Sequence, residues 1–122
     1  MNGTMPDRND RAILESARRS AVERVRTVRA ELDGLAGDAE DANGDDEHDP
    51  EGSTLAYERA RVAALLAEAE SNLDDLDRAL VKVASGNYAV CEHCGAEIGT
   101  ERLEALPATR TCIACAAAPP PR

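Results

Sequence analysis

The chain has no tryptophan and no phenylalanine, and its only aromatic residues are Tyr57 and Tyr88. Large rings supply much of the buried area in an ordinary globular core, so their scarcity over 122 residues argues against one. The apolar surface comes almost entirely from Ala, Leu and Val, a set that suits long helices packed side by side. No apolar run approaches the ~20 residues of a membrane span, so no membrane association is expected. Bases are also scarce: 24 acids face 14 bases, for a net charge of −10. Such a chain is repelled by the phosphate backbone, which argues against sequence-specific or generic DNA binding. No signal peptide is evident at the start, and a cytoplasmic protein with reduced thiols is expected. No Ser/His/Asp order, phosphate-cradling Gly-rich loop or nucleophilic-cysteine pattern is present, so the chain is not expected to be an enzyme.

What is present is a set of four cysteines in two pairs. Cys91-Glu92-His93-Cys94 is followed, after seventeen residues, by Cys112-Ile113-Ala114-Cys115. A two-residue gap lets one tight turn offer two adjacent corners of a tetrahedron, and a second pair completes the four thiolates that zinc prefers. With all four corners taken, no position is left for water, so the expected cofactor is one structural zinc ion. Two redox pairs would need a βαβ setting that is missing, and disulfides would need an oxidising compartment. Gly95 and Gly99 allow the turns after the first pair, and Pro107 precedes the second. His93 should point away from a metal already served by four thiolates, and Tyr88 should pack where the cysteine module begins. Metal binding of this kind contributes roughly 10–16 kcal/mol in small finger peptides, enough to fold a segment lacking large rings.

Upstream of the cysteines the pattern is heptad. Residues 1–9 carry no periodicity and are expected to be loose. A helix then starts with Asn9 or Asp10 as its N-cap. Leu14, Ala21, Val28 and Leu35 recur every seventh residue, with Val25 and Leu32 in a second row that Arg11 and Arg18 interrupt. Gly34 and Gly37 mark its expected end. A second helix starts near Gly52-Ser53-Thr54 with Ser53 as N-cap, and Leu55, Val62, Ala69, Leu76 and Val83 hold a strict seam. Leu66, Leu73 and Leu80 form its companion row, and Gly86 is the natural stop. At about 26 and 33 residues the helices would make an arm roughly 40–50 Å long. Two seams joined by a short polar segment read as an intramolecular hairpin, although the same stripes permit a bundle with another protomer. The expected fold is mostly α: an antiparallel coiled-coil helical hairpin over residues 10–85, with a small C4 zinc-ribbon module over 86–115 at its base. Residues 116–122 should form a flexible Ala- and Pro-rich tail.

The segment joining the helices, residues 38–52, is the most charged part of the chain. Asp38, Glu40, Asp41, Asp45, Asp46, Glu47, Asp49 and Glu51 stand there without a single Lys or Arg. A solvated acidic turn is the bland reading. A calcium loop starting at Asp41 fails twice: its sixth position is Asp46 where Gly is needed, and its twelfth is Gly52 where Glu is needed. The remaining reading is a tip that carries carboxylates to a basic or metal-containing site on a partner. Asp46 and Asp49 are its first candidates for partner binding, with Glu47 and Glu51 second. His48, among these acids, reads as a solvated loop histidine.

The stretch from Gly86-Asn87-Tyr88-Ala89-Val90 through the first cysteine pair to Gly95, with Ile98-Gly99, Arg102-Leu103-Glu104-Ala105-Leu106-Pro107 and the second pair, resembles the C4 zinc finger of the DksA/TraR family. The preceding hairpin agrees with that family in order and length. The resemblance implies a transcription regulator that binds RNA polymerase directly, with its hairpin in the secondary channel and acidic tip residues modulating initiation. In that picture the finger holds the base of the arm and reads no bases, and the protein acts as a monomer. Against the family's Asp-x-x-Asp-x-Ala tip two registers are open. Aligned on Asp-Pro, Asp49 takes the first Asp, Gly52 stands where the second belongs and Thr54 where Ala belongs. In the other, Asp46 and Asp49 supply both aspartates and Glu51 stands where Ala belongs. The helix surface bearing Glu68, Asp74 and Asp75 lacks the basic residues through which longer members help to form an alarmone site. The rival readings are a non-catalytic helical interaction module with structural zinc, dimerising or docking on another partner, and a redox or zinc-sensing switch built on the same thiols.

Overall fold

In the computed structural model residues 8–42 and 50–118 are described, with side chains over 10–37 and 54–118. Two long helices come first, α1 over Arg8–Ala42 and α2 over Pro50–Ser85, and two short ones follow, α3 over Thr100–Ala105 and α4 over Ile113–Ala117. The long pair packs as the expected antiparallel hairpin. Arg18 of α1 pairs with Asp77 of α2, and further along α1 Arg29 pairs with the earlier Glu70, so one helix descends as the other rises.

Both helices extend beyond the expected ends. α1 does not stop at Gly34 or Gly37 but runs on to Ala42. A glycine costs only about 1 kcal/mol relative to alanine inside a helix, too little to halt a segment already propagating cooperatively. α2 begins at Pro50, which places Ser53 within the first turn and not at the cap. Proline is suited to a first helical position, because its missing N–H would have no intrahelical acceptor there. The acidic tip expected over 38–52 is therefore largely helical at its two edges. Asp46, Glu47, His48 and Asp49 lie outside the described residues, and Glu51 falls in the first turn of α2, its side chain outside the described set.

The chain divides into two compact units, Ser20–Ser71 and a second made of Met1–Arg19 with Asn72–Arg122. In the Ser20–Ser71 unit the seam is formed by Ala21, Val25 and Val28 of α1 with Val62 and Ala69 of α2, all buried. Leu32, Leu35, Leu55 and Leu66 are half-buried around it. In the other unit the helix ends bury Leu14, Leu76, Ala79 and Val83, and Tyr88 is buried with them at 5% exposure. Arg18, which breaks the second apolar row, lies at the flank of the seam beside Asp77 with both side chains nearly half exposed. A pair that exposed adds at most about 1 kcal/mol, so apolar burial carries the hairpin.

α2 ends in a Schellman motif. The N–H of Asn87 donates to the carbonyl of Lys82 at 2.8 Å, and that of Gly86 to Val83 at 3.2 Å. Gly86 takes the left-handed conformation this closure demands, with φ of 83°. No helix among the described residues is long and apolar enough to cross a membrane.

Candidate metal centre

The cysteine module hangs on backbone geometry that its glycines make possible. After α2 stops, residues 88–98 fold back on themselves. Val90 and Glu97 form an antiparallel bridge, the Cys91 N–H donates to Ala96 at 2.8 Å, and Ile98 N–H donates to Ala89 at 2.8 Å. Gly95 closes the first knuckle with φ of 81°, its N–H donating to the Cys91 carbonyl at 3.0 Å. Gly99, with φ of 97°, redirects the chain into α3. The second half is helical: α4 begins directly after Cys112, and the Ala116 N–H donates to the Cys112 carbonyl at 2.9 Å. Cys115 sits one helical turn after Cys112, so both thiols share one side.

These two turns bring together all four expected ligands. The Sγ atoms of Cys91, Cys94, Cys112 and Cys115 lie within 4.8 Å of one another. Cys94 and Cys112 are 3.8 Å apart, sulfur to sulfur. Tetrahedral zinc with bonds near 2.3 Å requires a sulfur–sulfur edge of about 3.8 Å, so the donor set fits the metal in number, chemistry and spacing. Cys91 and Cys112 are buried with Ile98, and Leu103 and Cys115 pack against them, while Cys94 is exposed. Cys91, Cys94, Cys112 and Cys115 would hold one structural zinc ion, which would supply the cross-link around which this small core closes.

Donors around the sulfurs favour thiolates. Cys91 is pulled down to about 6, first by the backbone N–H of Cys112, with further N–H donors from Cys94 and His93. The His93 N–H lies 3.4 Å from the Cys91 sulfur, while the His93 side chain is exposed, as expected for a residue between ligands. Cys112 is likewise lowered, chiefly by the backbone N–H of Cys115. Cys115 is pushed up to about 12, first by its hydrogen bond with the Cys94 thiol, because neighbouring thiols sharing a site do not all ionise unaided. A bound zinc ion would remove that constraint, because a coordinating thiol is deprotonated by the metal's charge.

Sequence reasoning did not find the polar residues that hold the module in place. Lys82 of α2 donates to the carbonyl of Val90 at 2.9 Å and lies 3.5 Å from Glu92, which also receives Arg78 at 3.0 Å. Glu92 is drawn below the usual carboxylate range, the cost of its burial being outweighed by Arg78, Lys82 and Arg110. Arg102 donates to the Thr111 carbonyl at 2.8 Å and to Thr109 Oγ1 at 3.3 Å. All are charged residues that a helical or turn pattern reads as solvated, and nothing in their spacing marks a partner.

Residues 86–119 match the family model described as the prokaryotic dksA/traR C4-type zinc finger. The uncharacterized protein YteA of Bacillus subtilis is 39% identical over 66 residues, covering 54% of this chain and 28% of that protein. The RNA polymerase-binding transcription factor DksA of Escherichia coli is 45% identical over 40 residues, covering 33% of this chain and 26% of DksA. The chain thus spans about a quarter of the length of these curated relatives. Among solved structures, transcription factor DksA2 from Pseudomonas aeruginosa superposes with a TM-score of 0.59 at 22% identity, covering 95% of this chain and 87% of that one. The four cysteines accordingly belong to a zinc finger matching the dksA/traR type, and the hairpin and finger together share the fold of DksA2.

Proposed function

We propose that this protein is a zinc-finger transcription regulator of the DksA/TraR kind that acts by binding RNA polymerase directly in the bacterial cytoplasm. The observation that carries the reading is the conjunction on one chain of a dksA/traR-type finger with a hairpin that follows the DksA2 fold over nearly its whole length. One relative of the finger, DksA of Escherichia coli, is itself an RNA polymerase-binding transcription factor. In this reading the hairpin enters the secondary channel and the segment between α1 and α2 reaches toward the catalytic region. Asp46 and Asp49 act there, with Glu47 and Glu51 in support. The net charge of −10 accords with a regulator whose partner is a protein and not DNA.

The test is open-complex lifetime on a ribosomal-type promoter, with polymerase binding measured in parallel. Wild-type protein is expected to change the lifetime, and an Asp46→Asn/Asp49→Asn double variant is expected to bind without changing it. No binding to core enzyme or holoenzyme at micromolar concentration would end this reading. Binding without any lifetime effect would instead describe a channel occupant whose acids only solvate the turn.

A second reading, a helical module docking on another copy or another protein, draws support from Leu66, Leu73 and Leu80, which remain only half-buried along α2. Light scattering decides that point: a monomer over the working concentration range removes the dimer form of it.

A further inference from the structure

We propose that Arg102 is a positioning residue of the zinc centre: it sets metal affinity without touching the metal, by fixing the segment that delivers the second cysteine pair. Residues 106–112 have no regular secondary structure beyond a turn, yet they must present Cys112 at an angle the tetrahedron accepts. Arg102, on α3, reaches across to this segment with two donors. Its Nε donates to the Thr111 carbonyl at 2.8 Å, and its second terminal nitrogen donates to Thr109 Oγ1 at 3.3 Å. Thr109 Oγ1 in turn donates to the same Thr111 carbonyl at 3.2 Å. Three residues thus close a small polar ring one residue ahead of a metal ligand.

The clamped segment also touches the first cysteine pair. The Glu92 N–H, inside the first knuckle, donates to the carbonyl of Arg110 at 2.8 Å. Residues 109–111 therefore bridge the two knuckles through backbone, with the guanidinium as their side-chain anchor. Without that anchor, the segment would lose its ordering entropy at the moment of metal binding, and affinity would fall by that amount. Partners that orient metal ligands from outside the coordination sphere typically change affinity by about 10–100-fold when removed. A planar fork satisfies two acceptors at fixed geometry, which a lysine ammonium does not reproduce.

The experiment measures zinc affinity of the full chain by competition with a chromophoric chelator, and the position of the cobalt(II)–thiolate absorption bands. Arg102→Gln is expected to weaken zinc binding by about 10–100-fold, and Arg102→Lys by less. Both should keep one metal per chain, unchanged cobalt bands and wild-type helix content at saturating zinc. Arg110→Gln removes a nearby charge of the same sign and leaves the clamp intact, so it should weaken zinc less than Arg102→Lys. Wild-type affinity in Arg102→Gln overturns the proposal. So does an Arg110→Gln loss as large as that of Arg102→Gln, which would assign the effect to charge alone. Should Arg102→Gln fail to fold, Thr109→Val decides, because it keeps the guanidinium and removes one of its anchors. Weakened zinc binding with intact helices then supports the clamp, and wild-type affinity overturns it.

Discussion

The hydroxyl of Tyr88 donates a 2.8 Å hydrogen bond to the carbonyl oxygen of Pro107, tying the segment just after α2 to the turn preceding the second cysteine pair. Tyr88 is almost fully buried, and that burial, with the negative charge of Asp10 adding to it, pushes its phenol up to about 12. An unfolded tyrosine ionises near pH 10, so between about 10 and 12 the native state keeps a proton that the unfolded state has lost. Stability should be unaffected by this group below pH 10 and should fall as pH rises toward 12. Tyrosinate absorbance in a Tyr57→Phe background, where only Tyr88 reports, is expected to show a midpoint near 12. The Tyr88→Phe variant should lose this alkaline slope, and a midpoint at the ordinary value would contradict the burial account.

Gly86 provides a cleaner backbone test. A Cβ there would meet nothing within 4 Å, so a substitution adds strain from the positive φ alone. Gly86→Ala should cost about 1–2 kcal/mol in urea denaturation, and Gly86→Asn less, because asparagine tolerates the left-handed region.

Neighbouring positions on α1 separate burial from composition. Leu14 is completely buried whereas Ile13 is 43% exposed. Leu14→Ala is expected to destabilise by about 2–5 kcal/mol, and Ile13→Ala by about 0.5 kcal/mol or less, in denaturation at saturating zinc. Equal losses would mean that the seam does not pack as described.

Zinc removal should act locally. The seam residues of α1 and α2 include no metal ligand, whereas Cys91 and Cys112 form the core of the finger. A chelator is expected to release one zinc per chain and to unfold the finger, while most far-UV helical signal persists. Loss of the whole helical signal on chelation would show that the hairpin depends on the metal.

The parts legible in the sequence were those with a strong period or a fixed stoichiometry. Leu14, Ala21, Val28, Val62, Ala69, Leu76 and Val83 occupy seam positions because a seven-residue repeat leaves little choice of face, and all are buried. Four cysteines in two short-gapped pairs leave equally little choice of chemistry. Helix ends were less legible, since the weak penalty of Gly34 and Gly37 was outweighed by propagation, and Pro50 opened a helix where its ring is tolerated. The exact face was also shifted: Ala79 is buried while its larger neighbour Leu80 remains half exposed, a choice made by helix rotation and not by hydrophobicity. The Arg102 and Lys82 contacts bridge segments whose approach depends on the finished fold, so no local pattern announces them.

The passage of α1 through two exposed glycines also has a consequence for local opening. A Cβ at Gly34 or Gly37 would meet nothing within 4 Å, and the last turn of α1 carries no basic residue to favour the helix C-terminus. The backbone amides of Gly34 and Gly37 have no side chain of their own to shield them, whereas those near Val25 and Val28 lie over a buried seam. Exchange with solvent should therefore be faster around Gly34 and Gly37 than at Val25 and Val28, through sub-global openings that leave the seam closed. The stretch of α1 around its two glycines is thus expected to open at a lower free energy than the seam around Val25 and Val28.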